Sequence, residues 1–221
     1  MALALADRGF DIAASYRLSE QAAFSLRDEI RSKGVECELA KRDLREHSEA
    51  ESLMDWALKT FPNLSAVVNN ASVYTAGTIL ETEPGDLERD LALHLTAPFA
   101  LVRGFAASEA EGVVVNVLDA RISRASTTRF SYLLSKKALA DFTAIAAAEL
   151  GPGIRVNGVA PGLILPPEGE NDDYLDALAE NIPAKRSGTV EEFVSAVLFL
   201  IDNEYVTGQT VFVGGGLDLI G

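Results

Sequence analysis

Cysteine is nearly absent: Cys37 stands alone, so no internal disulfide can form and no thiolate set is spaced for a metal. Histidine is scarce as well. His47 and His94 are the only two, too few and too distant in sequence to suggest zinc, and no metal site is expected. Positive charge is short, with 19 Lys and Arg against 33 Asp and Glu, a net charge of −14 and a sequence pI near 4.5. Such a field argues against general electrostatic attachment to nucleic acid or an anionic membrane. The opening Met-Ala-Leu-Ala-Leu-Ala meets Asp7-Arg8 and lacks a basic flank, a pattern of neither signal peptide nor membrane span. A cytoplasmic protein is the expectation. No Gly/Ser/Pro linker or internal repeat divides the 221 residues, and 48% of them are hydrophobic, so one domain over residues 1–221 with a full core is expected.

What the chain does have is alternation. Short β-rich runs at 10–16, 35–41, 64–69, 112–118, 154–160 and 210–213 alternate with amphipathic stretches at 20–32, 46–60, 83–107, 131–150 and 190–202. This predicts an α/β fold, a Rossmann-like doubly wound parallel sheet with helices on both faces. Gly9, Gly34 and Gly151 stand where helix C-caps need them. In such a sheet the ligand lies beyond the carboxyl ends of the strands, where strand order reverses. Tyr16-Arg17, Asp43, Asn69-Asn70, Asp119 and Pro161-Gly162 stand at or just past those ends, so they are expected to line one crevice.

Tyr132-Leu-Leu-Ser-Lys136 lies in the stretch 131–150. Its tyrosine and lysine share a helix face, and an ammonium beside a phenol lowers the phenol's pKa. That would make Tyr132 a proton donor or acceptor near neutrality. The same spacing is also common as a solvated surface pair. Its company favours chemistry: Asp119 just past Val113-Val-Val-Asn-Val117, Asn69-Asn-Ala-Ser72 closing an apolar run, and Arg155-Val-Asn-Gly-Val-Ala-Pro-Gly162 downstream. With these motifs the chain resembles the short-chain dehydrogenase/reductase family over nearly its whole length.

The resemblance implies that Tyr132 is the general acid/base and that Lys136 tunes it and holds the nicotinamide ribose. It places Asp119 where most members have serine, and His94 where they have asparagine. Members also carry Thr-Gly-x-x-x-Gly-x-Gly before their first helix, a backbone cradle for the pyrophosphate. No such stretch occurs here; residues 1–9 read as the last turns of that helix and Phe10 begins the family's second strand. The expectation is a true start roughly twenty residues upstream, with the strands flanking the missing one left without a shared ladder and NADPH held weakly by the chain as written. Arg17 with Ser19, at the end of the second strand, favours the 2′-phosphate of NADPH over NADH. Asp43 is expected at the adenine amino group and Asn69 on the adenosine side, with Ala71, Pro161 and Gly162 completing the cofactor-binding set. Gly214-Gly-Gly216 implies, by resemblance, a homotetramer or homodimer.

The substrate reading turns on Asp119. An ionised carboxylate accepts hydrogen bonds and repels a developing alkoxide, where a serine would donate. A simple ketone is disfavoured and a small molecule offering N–H donors, such as a reduced pterin, is favoured. Within the family, aspartate here, histidine in Leu93-His94-Leu-Thr-Ala-Pro98, and the Leu-Ile-Leu start and acidic tail of 162–174 resemble pteridine reductases and dihydromonapterin reductase. Tyr74 would stack on the pterin. Ser72 and Leu163 would line the substrate pocket, with 162–174 as a mobile lid. The expected function is NADPH-dependent reduction of a dihydropterin. The alternatives are a carbonyl reductase of the 3-oxoacyl or sugar type and an inactive homologue.

Overall fold

In the computed structural model, which describes residues 1–125, 127–167 and 169–220, the strands make two parallel ladders. β1 (Ile12–Tyr16) pairs with β2 (Cys37–Lys41), and β3 (Ala66–Asn69), β4 (Gly112–Val117), β5 (Ile154–Pro161) and β6 (Thr210–Val213) follow one another in order. β1 and β3 share no ladder, as the sequence leads one to expect. Parallel neighbours need long crossovers. α2 (Glu20–Ser32) joins β1 to β2, and α3 (His47–Thr60) joins β2 to β3. α4 (Pro84–Leu91), a π turn (Ala92–Thr96) and α5 (Ala97–Ala107) lead to β4; α6 (Phe130–Leu150) leads to β5. α7 (Asp172–Ala179) and α8 (Val190–Asp202) lead to β6, and α1 (Ala2–Ala6) precedes β1.

Side chains alternate across a strand, and both faces of β4 are covered. Val113, Val115 and Val117 pack with Leu5 and Ala6 of α1, Ile30 of α2 and Val194, Val197 and Ile201 of α8. Val114, on the other face, packs with Met54 of α3, Phe105 of α5 and Ala146 of α6. Ile12 and Cys37 belong to the first of these clusters. Side-chain packing, rather than a backbone ladder, therefore holds β1–β2 against the four-stranded sheet. Among the described residues no helix is long and apolar enough to cross a membrane.

Three local expectations are corrected. The stretch 83–107 is not one continuous α-helix but two joined by the π turn. Pro98 has no N–H to give the carbonyl of residue 94, four positions back, and its ring crowds that carbonyl, so the regular ladder cannot run through. The acidic tail of the segment 162–174 starts a helix: Asn171 caps α7 by accepting from the Tyr174 N–H at 3.4 Å, Asp172 and Asp173 occupy the first turn, and Leu175 and Ala179 are buried. Position 168 of the expected lid lies outside the described residues. Gly9 and Gly34 are left-handed, with φ of 83° and 87°, as helix ends require, whereas Gly151 has φ −68° and is not a left-handed cap.

Gly112 opens β4 under a tight constraint, since a Cβ there would lie 2.1 Å from the backbone oxygen of Ser65. Gly112→Ala is expected to lower stability by about 1–3 kcal/mol, the usual cost of forced overpacking. At Gly153 the nearest atom to such a Cβ is 3.9 Å away, so Gly153→Ala serves as the control. Denaturant melts of the two variants check this; equal midpoints would refute it.

Candidate active site

Because the four-stranded sheet is parallel throughout, the carboxyl ends of β3–β6 lie on one side of it, and β4 delivers the chain there. Just past it, Asp119 caps a 3-10 turn (Ala120–Ser123), its Oδ1 accepting from the Arg121 backbone N–H at 2.8 Å. The Arg121 guanidinium then folds back onto the same carboxylate, Nε to Oδ1 at 3.0 Å and Nη2 to Oδ2 at 2.7 Å. Tyr132, in the first turn of α6, donates its phenol hydrogen to Oδ2 at 2.9 Å. Asp119 thus accepts four hydrogen bonds, about the full capacity of a carboxylate. Burial works to raise its pKa, but the guanidinium outweighs burial and holds the carboxyl below its usual range.

Tyr132 departs from expectation. Burial, then the charge and hydrogen bond of Asp119, push its phenol well above the ordinary value. Lys136 does not lower it: Nζ donates to the Val117 carbonyl at 2.7 Å and lies 5.9 Å from the Tyr132 ring centre. The lysine is 2% exposed, and burial brings its own pKa down to about 8. Without a bound partner, then, Tyr132 is a firmly protonated phenol whose hydrogen is held on Asp119.

His94 sits in the π turn and is 1% exposed. Nε2 accepts from the Val73 backbone N–H at 3.3 Å and lies 3.0 Å from Ser72 Oγ; Nδ1 lies 2.8 Å from Ser135 Oγ. With Nε2 an acceptor, the ring hydrogen belongs on Nδ1 and is donated to Ser135, which donates in turn to the Tyr132 backbone carbonyl at 2.7 Å. Burial and the nearby Lys136 bring the His94 pKa down to about 3, so the ring is neutral. Its ring meets that of Tyr132 edge to face at 5.5 Å, while its nitrogens are committed to the 72–73 loop and α6.

Tyr74 meets the Tyr132 ring edge to face at 5.0 Å. It is not a bare platform, because the Arg129 guanidinium lies 3.5 Å from its ring centre and Arg121 lies 5.0 Å away. Ser72 is exposed and turned to His94, and Leu163 packs with Ile182 and Leu217. Sequence reasoning missed both arginines. A signal existed for one: an arginine two residues after a buried carboxylate at a turn can close back on it.

At the carboxyl end of β1, Arg17 follows the strand, and its guanidinium stands 3.9 Å from the Asp43 carboxylate. Asp43 is not a free acceptor. Arg45 grips it through Nε at 2.8 Å and through Nη2, and this contact takes its pKa down to about 2. Ser19, ahead of α2, makes no side-chain cap bond, and Ala71 is exposed. Asn69 donates its amide hydrogen to Asn116 Oδ1 at 2.7 Å. Pro161 closes β5 opposite Val213, and a Cβ on Gly162 would meet Gly214 Cα at 2.6 Å.

The family model described as enoyl-(acyl carrier protein) reductase matches residues 1–218. The chain belongs to the short-chain dehydrogenase/reductase family of oxidoreductases. It is 27% identical to the 3-oxoacyl-[acyl-carrier-protein] reductase FabG of Staphylococcus epidermidis, over 98% of this chain and 92% of that protein. It is 31% identical to the granaticin polyketide synthase putative ketoacyl reductase 2 of Streptomyces violaceoruber, over 81% of this chain and 76% of that one. Among solved structures, the FolM alternative dihydrofolate reductase 1 of Brucella suis in complex with NADP superposes with a TM-score of 0.93 at 28% identity, covering all of this chain and 90% of that one. In this member of the family, Tyr132, Lys136 and Asp119 meet at the end of β4, and Arg121 joins them.

His94 makes stability depend on pH. Its folded pKa lies near 3 against about 6.5 in the unfolded chain, so only the unfolded chain takes up this proton between those values. The contribution is full above 6.5 and is lost as pH falls. His94→Asn should flatten the fall in stability between pH 6.5 and 5 by about 1 kcal/mol per pH unit, as measured by denaturant melts. Parallel profiles for variant and parent would contradict a buried neutral ring.

Proposed function

We propose that this protein is an NADPH-dependent reductase of a dihydropterin, and the observation that carries the reading is the ionised Asp119 carboxylate 2.9 Å from the Tyr132 phenol. A carboxylate in place of a hydroxyl is useful to a substrate that brings N–H donors. A pterin ring amide or amino group can take the place of the phenol on Oδ2. The phenol hydrogen is thereby released toward the ring atom that needs a proton. Arg121 keeps Asp119 charged throughout, so the proton travels from Tyr132 to substrate and not onto Asp119. Tyr74, held by Arg129 and set edge-on to Tyr132, gives a flat heteroaromatic ring an aromatic neighbour. The NADP complex of the FolM relative supports the same class of reaction.

The residues present fit NADPH at two places. Arg17, whose side chain is 38% exposed and only loosely paired with Asp43, is available to a 2′-phosphate. Lys136 and Tyr132 stand at the nicotinamide end, where Lys136 would exchange the Val117 carbonyl for ribose hydroxyls. The nicotinamide supplies the hydride when bound; proton delivery, substrate orientation and exclusion of water fall to the protein. A homotetramer or homodimer and a cytoplasmic location complete the proposal.

One observation favours a second reading, reduction of a ketone by a 3-oxoacyl-type enzyme. Arg121 offsets the charge of Asp119, so the carboxylate repels a developing alkoxide less than a free one would, and the FabG relatives act in that class by name.

Steady-state kinetics on dihydropterins and on simple ketones decides between them. Asp119→Ser and Tyr132→Phe should each cut dihydropterin turnover by a factor on the order of a hundred, usual for a positioned acid–base partner, with the KM for NADPH nearly unchanged. A serine variant as fast as the parent, or a parent faster on ketones than on any dihydropterin, moves the protein to the second reading. For the cofactor, Arg17→Asp should remove a charge-assisted contact and weaken NADPH relative to NADH roughly tenfold to a hundredfold. An unchanged ratio of kcat/KM for the two cofactors would make Arg17 a bystander.

A further inference from the structure

One buried carboxylate takes no part in the chemistry above. Asp90, on α4, is 1% exposed, and among the described residues no lysine or arginine lies within ion-pair distance of it. Its two oxygens each take one hydroxyl: Thr75 Oγ1 donates to Oδ1 at 2.8 Å and Ser131 Oγ donates to Oδ2 at 2.6 Å. Those donors are the immediate neighbours of Tyr74 and Tyr132. Four residues further along, His94 repeats the bridge, joining Ser72 and Val73 to Ser135. Position 90 on α4 and position 94 in the π turn that follows it thus face positions 131 and 135 on α6, with the loop 72–75 stitched between them. Arg129 adds a bond to the Tyr74 carbonyl at 2.9 Å.

We infer that Asp90 is a positioning residue: by holding Thr75 and Ser131 on one carboxylate, it sets the Tyr74 ring against the Tyr132 ring and so fixes the slot that receives the flat substrate. This deepens the reading of Tyr132 as proton donor and rests on it. One carboxyl group that takes a hydroxyl on each oxygen ties the loop at Thr75 to the helix at Ser131 through a single buried side chain. Both aromatic residues lie next to the fixed hydroxyls, so a slip of either donor is passed directly to a ring. Catalysis is sensitive to such slips, because a misplacement of about an ångström can cost up to a hundredfold in rate. A mere fastener between helix and loop would affect stability without singling out the substrate.

The test compares Thr75→Val, which keeps the shape and loses the hydroxyl, with Thr75→Ser, which keeps the hydroxyl; Ser131→Ala removes the other donor and serves if the valine variant does not fold. Two readouts are taken on folded protein: kcat and KM for dihydropterin and for NADPH separately, and ring resonances of tyrosine-labelled ligand-free protein. Thr75→Val should lower kcat/KM for dihydropterin about tenfold or more, leave the KM for NADPH in place, and shift the Tyr132 ring signal, which is remote in sequence from the change. Thr75→Ser should match the parent in all three. An unmoved Tyr132 signal, parental kinetics in the valine variant, or a loss shared equally by NADPH would overturn the inference. If the parent reduces no dihydropterin, the substrate reading fails and the Tyr132 signal alone decides the positioning role.

Discussion

Asp119 carries a negative charge into a place where water barely reaches, and the carboxyl end of the sheet is organised by the need to satisfy it. A buried ion costs several kcal/mol unless donors replace the lost water. Here they come from one short stretch of backbone, one guanidinium and one phenol. The capping bond forms the 3-10 turn after β4, the turn brings Arg121 back over the carboxylate, and Arg121 then lies 5.0 Å from the Tyr74 ring and 6.0 Å from the Tyr132 ring. That one charge sets the guanidinium position, and it adds to burial in keeping the phenol protonated.

β4 makes this arrangement rigid. Like β5, it has a ladder on both edges inside the larger sheet and apolar cover on both faces. Polar groups on it are used inward: Asn116 accepts from Asn69 and donates to Thr143 of α6 at 2.9 Å, and the Val117 carbonyl takes the Lys136 ammonium. Among the described residues, no buried side-chain nitrogen or oxygen lacks a partner. α6 is therefore tied to β4 at two heights, and Tyr132 and Lys136 come to the site on a helix that cannot easily slide. Precision of this kind is costly to build on loops and natural where a strand and a helix share buried bonds.

What could be read from the sequence was whatever depends on periodicity and local chemistry. The strands fell within two residues of their expected bounds because β-rich runs flanked by turn residues are a strong signal, and α2 and α8 matched at both ends. Tyr132, Lys136 and Asp119 were legible as a spacing. The direction of the Tyr132 pKa was not, because it depends on which partner the ammonium chooses, and only the folded chain offers the Val117 carbonyl. The π turn was hidden in Leu93-His94-Leu-Thr-Ala-Pro98, where Pro98 was the clue and helical amphipathicity obscured it. α7 was announced by Asn171-Asp172-Asp173 but read as an acidic lid. Asp90 and Arg129 gave no sequence signal at all, since their meaning lies in contacts with residues remote along the chain.

The same contacts bear on what the site can do with charge. The chain as a whole is strongly acidic, yet the residues around Tyr132 lean the other way: Arg121 balances Asp119, His94 is neutral, and Lys136 and Arg129 add positive charge. A group that gains electrons on reduction therefore meets a favourable local field in a poorly solvated place, where each such charge acts more strongly than in water. A ring nitrogen that must be protonated and a carbonyl oxygen both gain from that field. Only the first also has a use for a carboxylate acceptor one hydrogen bond from the acid. On the proposed reading, substrate class turns on the small residual asymmetry between Asp119 and a serine, and not on net charge, fold or the tyrosine–lysine pair.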